Sequence, residues 1–143
     1  MSITLENETD FDINENLLEK FNLIAKDFTN KDIEVLLTDN EKIRQINKEY
    51  RNIDKETDVI SFPFEDIPHS PLGSIVISIQ KAKEEAKRLN HSVEDEITLL
   101  FIHALLHLLG FDHEKDRGEM REKEKELIDK YNLPKSLIIR SES

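Results

Sequence analysis

LLFIHALLHLLGFDH, residues 99 to 113, is the stretch on which the reading of this chain turns. Leu99 to Leu109 is apolar on nearly every face except at His103 and His107, which predicts a central helix packed on several sides. Two histidines four positions apart on a helix of 3.6 residues per turn lie one turn apart on one face, close enough to share a metal ion. Gly110 is a natural terminator, because glycine enters the left-handed conformation without steric cost. A helix running on would carry His113 roughly 9 Å further along the axis, whereas a sharp turn at Gly110 returns it to the same metal. Three imidazoles with an open fourth position form a catalytic rather than a structural zinc arrangement. Any one of these histidines read alone would be a hydrogen-bonded core residue. Three of the chain's five histidines fall within eleven residues around a helix breaker, and that clustering points to metal. His69, in a proline-rich loop, and His91, just before a helix start, read as surface residues.

Working outward, Ser92 followed by Asp95 resembles a capping box and starts this helix near Val93. Ile3 to Glu6 alternates as a short strand does, and Asn14 to Phe28 repeats apolar residues at helical spacing. Ile33 to Leu37 is a short β-branched run before a helix capped near Asp39 and continuing through Ile43, Ile46 and Tyr50. VISF, from Val59, suits a buried strand closed by Pro63, and the loop EDIPHSP leads to a further strand beyond Gly73. Ser78 caps the next helix, through Ala82, Ala86 and Leu89, whose Lys81, Lys83, Lys87 and Arg88 read as a solvated face rather than an RNA contact. A last, heavily charged helix runs from Glu119 to Tyr131 on the surface. The expected fold is α/β (α+β): a small mixed sheet of four strands, from Ile3, Ile33, Val59 and Ile75 onward, packed with about five helices. Among them a zincin-like metal helix should be the most buried.

With 143 residues, 37% of them hydrophobic, the chain can bury one core, so residues 1–143 are read as a single domain. A formal net charge of -11 disfavours general attraction to a polyanion, so any nucleic-acid site must be local. The absence of cysteine removes disulfides and thiolate zinc sites, leaving histidine and carboxylate as metal ligands. MSITLENETD has no basic region followed by an apolar one, and no segment approaches the roughly 20 apolar residues that span a bilayer. A soluble cytoplasmic protein without a membrane partner is expected.

The spacing HxxxHxxGxxH matches the histidines and glycine of the metzincin protease pattern HExxHxxGxxH, but Ala104 stands where those proteases carry their general-base glutamate. Peptide hydrolysis by that mechanism lacks its base, and a metal-dependent hydrolase of another substrate becomes the better reading.

HALLHLLGFDH, from His103 to His113, resembles the HxxLHLLGxDH signature of the YbeY family of bacterial endoribonucleases. YRNIDKETDVISFPF, from Tyr50 to Phe64, is similar to that family's YRxxDxxTDVLSFPF, and LGSIVIS, from Leu72 to Ser78, to its LGDIxIS. Ser74 departs from the usual aspartate, which leaves a role for that position open. The resemblance covers most of the chain. It implies a single-strand-specific, zinc-dependent endoribonuclease in rRNA processing (16S rRNA 3′-end maturation) and ribosome quality control. One Zn2+ per chain would sit on His103, His107 and His113, with Arg51 as the functional arginine. The implied partners are rRNA or a ribosomal particle, and a ribosomal or GTPase protein.

The residues by themselves leave Arg51 evenly placed between a guanidinium fork on two phosphate oxygens and a salt bridge to Asp54 or Asp58. The resemblance favours the phosphate. Metal-activated water and the substrate's 2′-hydroxyl both remain open as nucleophile, and Asp112 either orients a ligand imidazole or caps the turn. Arg44, Lys48, Arg51 and Lys55 form a candidate basic strip; otherwise a protein partner must offset the acidic charge. Two rivals stand beside the nuclease: a hydrolase of another substrate such as peptide, and a non-catalytic ribosome assembly factor with structural zinc.

Overall fold

The computed structural model describes residues 2–65, 67–112 and 114–135. The elements run β1 (Ile3–Asn7), α1 (Glu15–Lys26), β2 (Ile33–Thr38), α2 (Asn40–Arg51), β3 (Val59–Pro63), β4 (Gly73–Ser78), α3 (Ile79–Leu89), α4 (Val93–Leu108) and α5 (Glu119–Tyr131). Local chemistry sets the helix starts. The side chains of Asn14, Asp39, Ser78 and Ser92 each accept a backbone N–H of the first turn, supplying the partner that turn lacks. At α5 the cap position is Gly118, and the Asp116 carboxylate takes over by accepting the Gly118 and Met120 amides.

The strands form one mixed four-stranded sheet, as expected from the sequence, in the order β1-β2-β4-β3, the first three parallel and β3 antiparallel to β4. Alternation then sorts side chains between two faces. Ile33, Val35, Leu37, Ile75 and Ile77 join α1, α3 and α4 in the main core, where Phe21 and Phe101 stack at 4.1 Å between ring centroids. Val76, Ile60 and Phe62 face the other way, under Ile43 and Ile46 of α2. VISF is apolar because helices cover both its faces, yet β3 is an edge strand, half-buried rather than interior. An open edge costs no apolar exposure, so composition does not reveal it.

Helix α4 is the most buried of the helices, as expected: eleven of its sixteen residues are buried. α5 is charged outward, but Met120, Glu124 and Leu127 are buried beneath it. No helix among the described residues is long and apolar enough to cross a membrane.

Candidate active site

The apolar faces of α4 are consumed by the core, which leaves one narrow stripe on which polar groups survive. His103 and His107 lie on it, both half-buried, with ring centroids 4.7 Å apart and planes at 82°. Gly110 ends the helix at φ +97°, donating to the His107 carbonyl while Phe111 donates to that of Leu106, the pair of bonds that closes a helix on a left-handed glycine. His113, the expected third ligand, lies outside the described residues. The Asp112 carboxylate accepts the Glu114 amide within the turn.

Arg51 is the last residue of α2, which Asn52 stops by adopting the left-handed conformation. The loop that follows is pinned to α2 by buried Asn47, whose Nδ2 donates to the Lys55 carbonyl at 3.0 Å. This brings Arg51 to a polar cleft of about 410 Å³, lined also by Thr57, Asp58, Val59, Ile60, Ser61, His103, Ala104 and His107. The two rival partners foreseen for Arg51 do not hold it. Asp54 is taken by Arg44 at 2.7 Å and by Lys48 at 3.9 Å, and among the described residues no carboxylate pairs with Arg51. The proposed basic strip is correspondingly reduced, since two of its four cations share that one carboxylate. A larger cleft of about 570 Å³ lies on the α2 face, between Tyr50, Phe62 and Phe64; it contains no histidine, and its position away from the imidazoles sets it aside.

Two cleft residues escaped the sequence reading, Thr57 and Ser61, and Asp58 entered it only as a rival partner for Arg51, although all three lie in the stretch quoted for its resemblance. Asp58 is raised above the ordinary carboxyl range chiefly by burial; amides of Val59 and of Asp58 itself pull the other way, and the negative charge of Glu96 adds to the rise. His91 is a correction. Its side chain is only 11% exposed and its Nε2 lies 2.7 Å from Oε1 of Glu96, which is fully buried in α4. A histidine just ahead of a helix start reads as surface, but a buried carboxylate one turn in requires a hydrogen-bonding partner and takes it. His69 is exposed, as expected.

The donor set suits a borderline-soft divalent ion: two imidazoles a turn apart, set in an apolar helix and opening onto a polar cleft. Among the described residues no cluster of three metal-binding side chains occurs.

A family model described as Endoribonuclease YbeY matches residues 3–132. The chain belongs to the YbeY endoribonuclease family. This YbeY-family chain is 57% identical over 140 residues to a relative from Nautilia profundicola named Endoribonuclease YbeY, covering 98% of this chain and 99% of the relative. A Campylobacter jejuni relative of the same name is 61% identical over 119 residues, covering 82% of this chain and 88% of its own. The solution structure of a Thermotoga maritima protein superimposes with a TM-score of 0.65 at 31% identity, over 89% of this chain and 87% of the other.

Proposed function

We propose that this YbeY-family chain, residues 1–143 acting as one domain, is a cytoplasmic, single-strand-specific endoribonuclease of rRNA, cutting in 16S rRNA 3′-end maturation and ribosome quality control. Its partners would be rRNA or a ribosomal particle and a ribosomal or GTPase protein. The observation that carries the reading is the meeting, in one cleft, of the Arg51 guanidinium with the imidazole pair His103 and His107. One Zn2+ per chain would be held by His103, His107 and His113, and when bound it would supply Lewis-acid polarisation of a phosphoryl oxygen. Arg51 then binds the scissile phosphate bidentately and balances the negative charge that grows on it during cleavage. Ala104 leaves no carboxylate between the histidines, so the peptidase base is lacking.

The test is cleavage of a single-stranded oligoribonucleotide by wild type, Arg51→Ala and His107→Ala, with elemental analysis of each. Arg51→Ala should lose about 10²–10³-fold in rate with zinc retained, and His107→Ala should lose both zinc and activity. Equal trace activity in all three would overturn the reading. A 2′,3′-cyclic phosphate on the product would identify the 2′-hydroxyl as nucleophile.

A further inference from the structure

The β3–β4 ladder assigns every main-chain group of the edge strand to one side or the other. Ser78 donates to the Asp58 carbonyl and Phe64 to the Leu72 carbonyl, which fixes the bonded pairs at both ends of a register without interruption. Alternation then turns the N–H and C=O of Ile60 and Phe62 toward β4, and those of Val59, Ser61 and Pro63 toward the free edge. Of these three outward positions, the Val59 N–H interacts electrostatically with the neighbouring Asp58 carboxylate, and proline has none. Ser61 is the outward N–H donor without such a neighbouring carboxylate, and among the described residues neither its amide nor its hydroxyl has a hydrogen-bond partner.

The edge and the cleft are the same place. Ser61 lines the cleft beside Arg51, His103 and His107. Its side chain lies on the same face as that of Val59, which packs against the core built on α4. Ile60 also lines the cleft, although its side chain is buried on the opposite face, so the cleft meets it through main-chain atoms. The walls therefore reach the exposed backbone of β3, where Ser61 offers two neutral donors in a cleft that Arg51 also lines.

We propose that Ser61 is a substrate-binding residue, its main-chain N–H and hydroxyl receiving a nonbridging oxygen of the scissile phosphodiester that Arg51 holds. The assignment rests on the ribonuclease reading above. A phosphate oxygen accepts only, and matches this donor pair. An added peptide strand needs donors and acceptors in alternation, and here Pro63 lacks the donor on one side of Ser61 while the Asp58 carboxylate lies against the one on the other. Neutral donors aimed at an oxygen that gains charge in the transition state stabilise it without the reorganisation that water would require.

The experiment is single-turnover cleavage of a 5′-labelled single-stranded oligoribonucleotide carrying either an Rp or an Sp phosphorothioate at the cut position. Ser61→Pro removes the N–H at a site where the ladder makes no bond, and Ser61→Ala removes the hydroxyl alone. The expected losses are about 10²-fold for Ser61→Pro and about three- to ten-fold for Ser61→Ala on the oxygen substrate. Wild type should discriminate between the two diastereomers, and Ser61→Pro should lose that discrimination, a change that a merely structural defect does not produce. If Ser61→Pro fails to fold, as judged by thermal melting, replacing the residue 61 amide by an ester removes the N–H without a ring, and the same loss is expected. A folded variant lacking the N–H that cleaves both diastereomers as wild type does would overturn the assignment. A wild type that cleaves no RNA would overturn the ribonuclease reading and this assignment with it.

Discussion

Replacing Gly73 by alanine tests how the sheet holds the cleft in shape. Gly73 opens β4 opposite Pro63, and a Cβ there would sit 2.5 Å from the Phe62 carbonyl oxygen and 2.6 Å from Cδ2 of Leu108, with the Pro63 Cα at 3.2 Å. The first contact is with backbone of the neighbouring strand and cannot be relieved by a rotamer change; the second is with a side-chain tip of α4, one residue after His107. Overpacking of this kind costs about 1–3 kcal/mol, partly offset by about 0.4–1 kcal/mol from the stiffer unfolded chain. For 143 residues at about 2.1 cal/mol/K each, the unfolding entropy is about 0.3 kcal/mol/K, so a net loss of about 0.6–2 kcal/mol should make Gly73→Ala melt about 2–7 °C below wild type. Because the displaced atoms belong to β3 and α4, which form the two walls of the cleft, RNA cleavage should fall as well. Adding Leu108→Ala removes the side-chain clash only. The double variant should therefore be more stable than the sum of the two single losses by about 0.5–1 kcal/mol. Calorimetry of the four proteins measures this directly. A Gly73→Ala protein with the melting temperature and cleavage rate of wild type would refute the reasoning.

Asp58→Asn should change the pH dependence of stability. A carboxyl raised in the folded state lends stability at pH values below its unfolded range and loses it as pH climbs through the folded one. With chelator present, Asp58→Asn should accordingly gain in melting temperature over wild type between pH 4 and pH 8; a constant difference would contradict the assigned burial. His91→Ala removes the 2.7 Å hydrogen bond to fully buried Glu96, at a cost of about 1.5–3 kcal/mol. Thermal melting should drop by about 5–10 °C, and a loss under about 2 °C would mean that Glu96 does not depend on this bond.

The elements of this fold were legible because each carries a local cause. Asn14, Asp39, Ser78 and Ser92 cap helices where their side chains meet the first turn, and Gly110 ends α4 where only a positive φ allows the chain to turn. The imidazole pair was legible for the same reason, since its geometry is internal to one helix. His91 was misread because its partner, Glu96, is buried by packing that no single segment specifies. Similarly, the interior look of VISF concealed an edge strand.

Spacing alone, then, determined that His103 and His107 share a face of an apolar helix ending at Gly110, since helical periodicity and glycine's freedom act over a few residues. Tertiary structure decided what that face looks onto. Arg51 reaches the histidines because α2 ends beside β3, and Ser61 turns its amide to the cleft because pairing with β4 uses only alternate residues. Both depend on which strand lies at the edge, a choice made by contacts far apart in the chain.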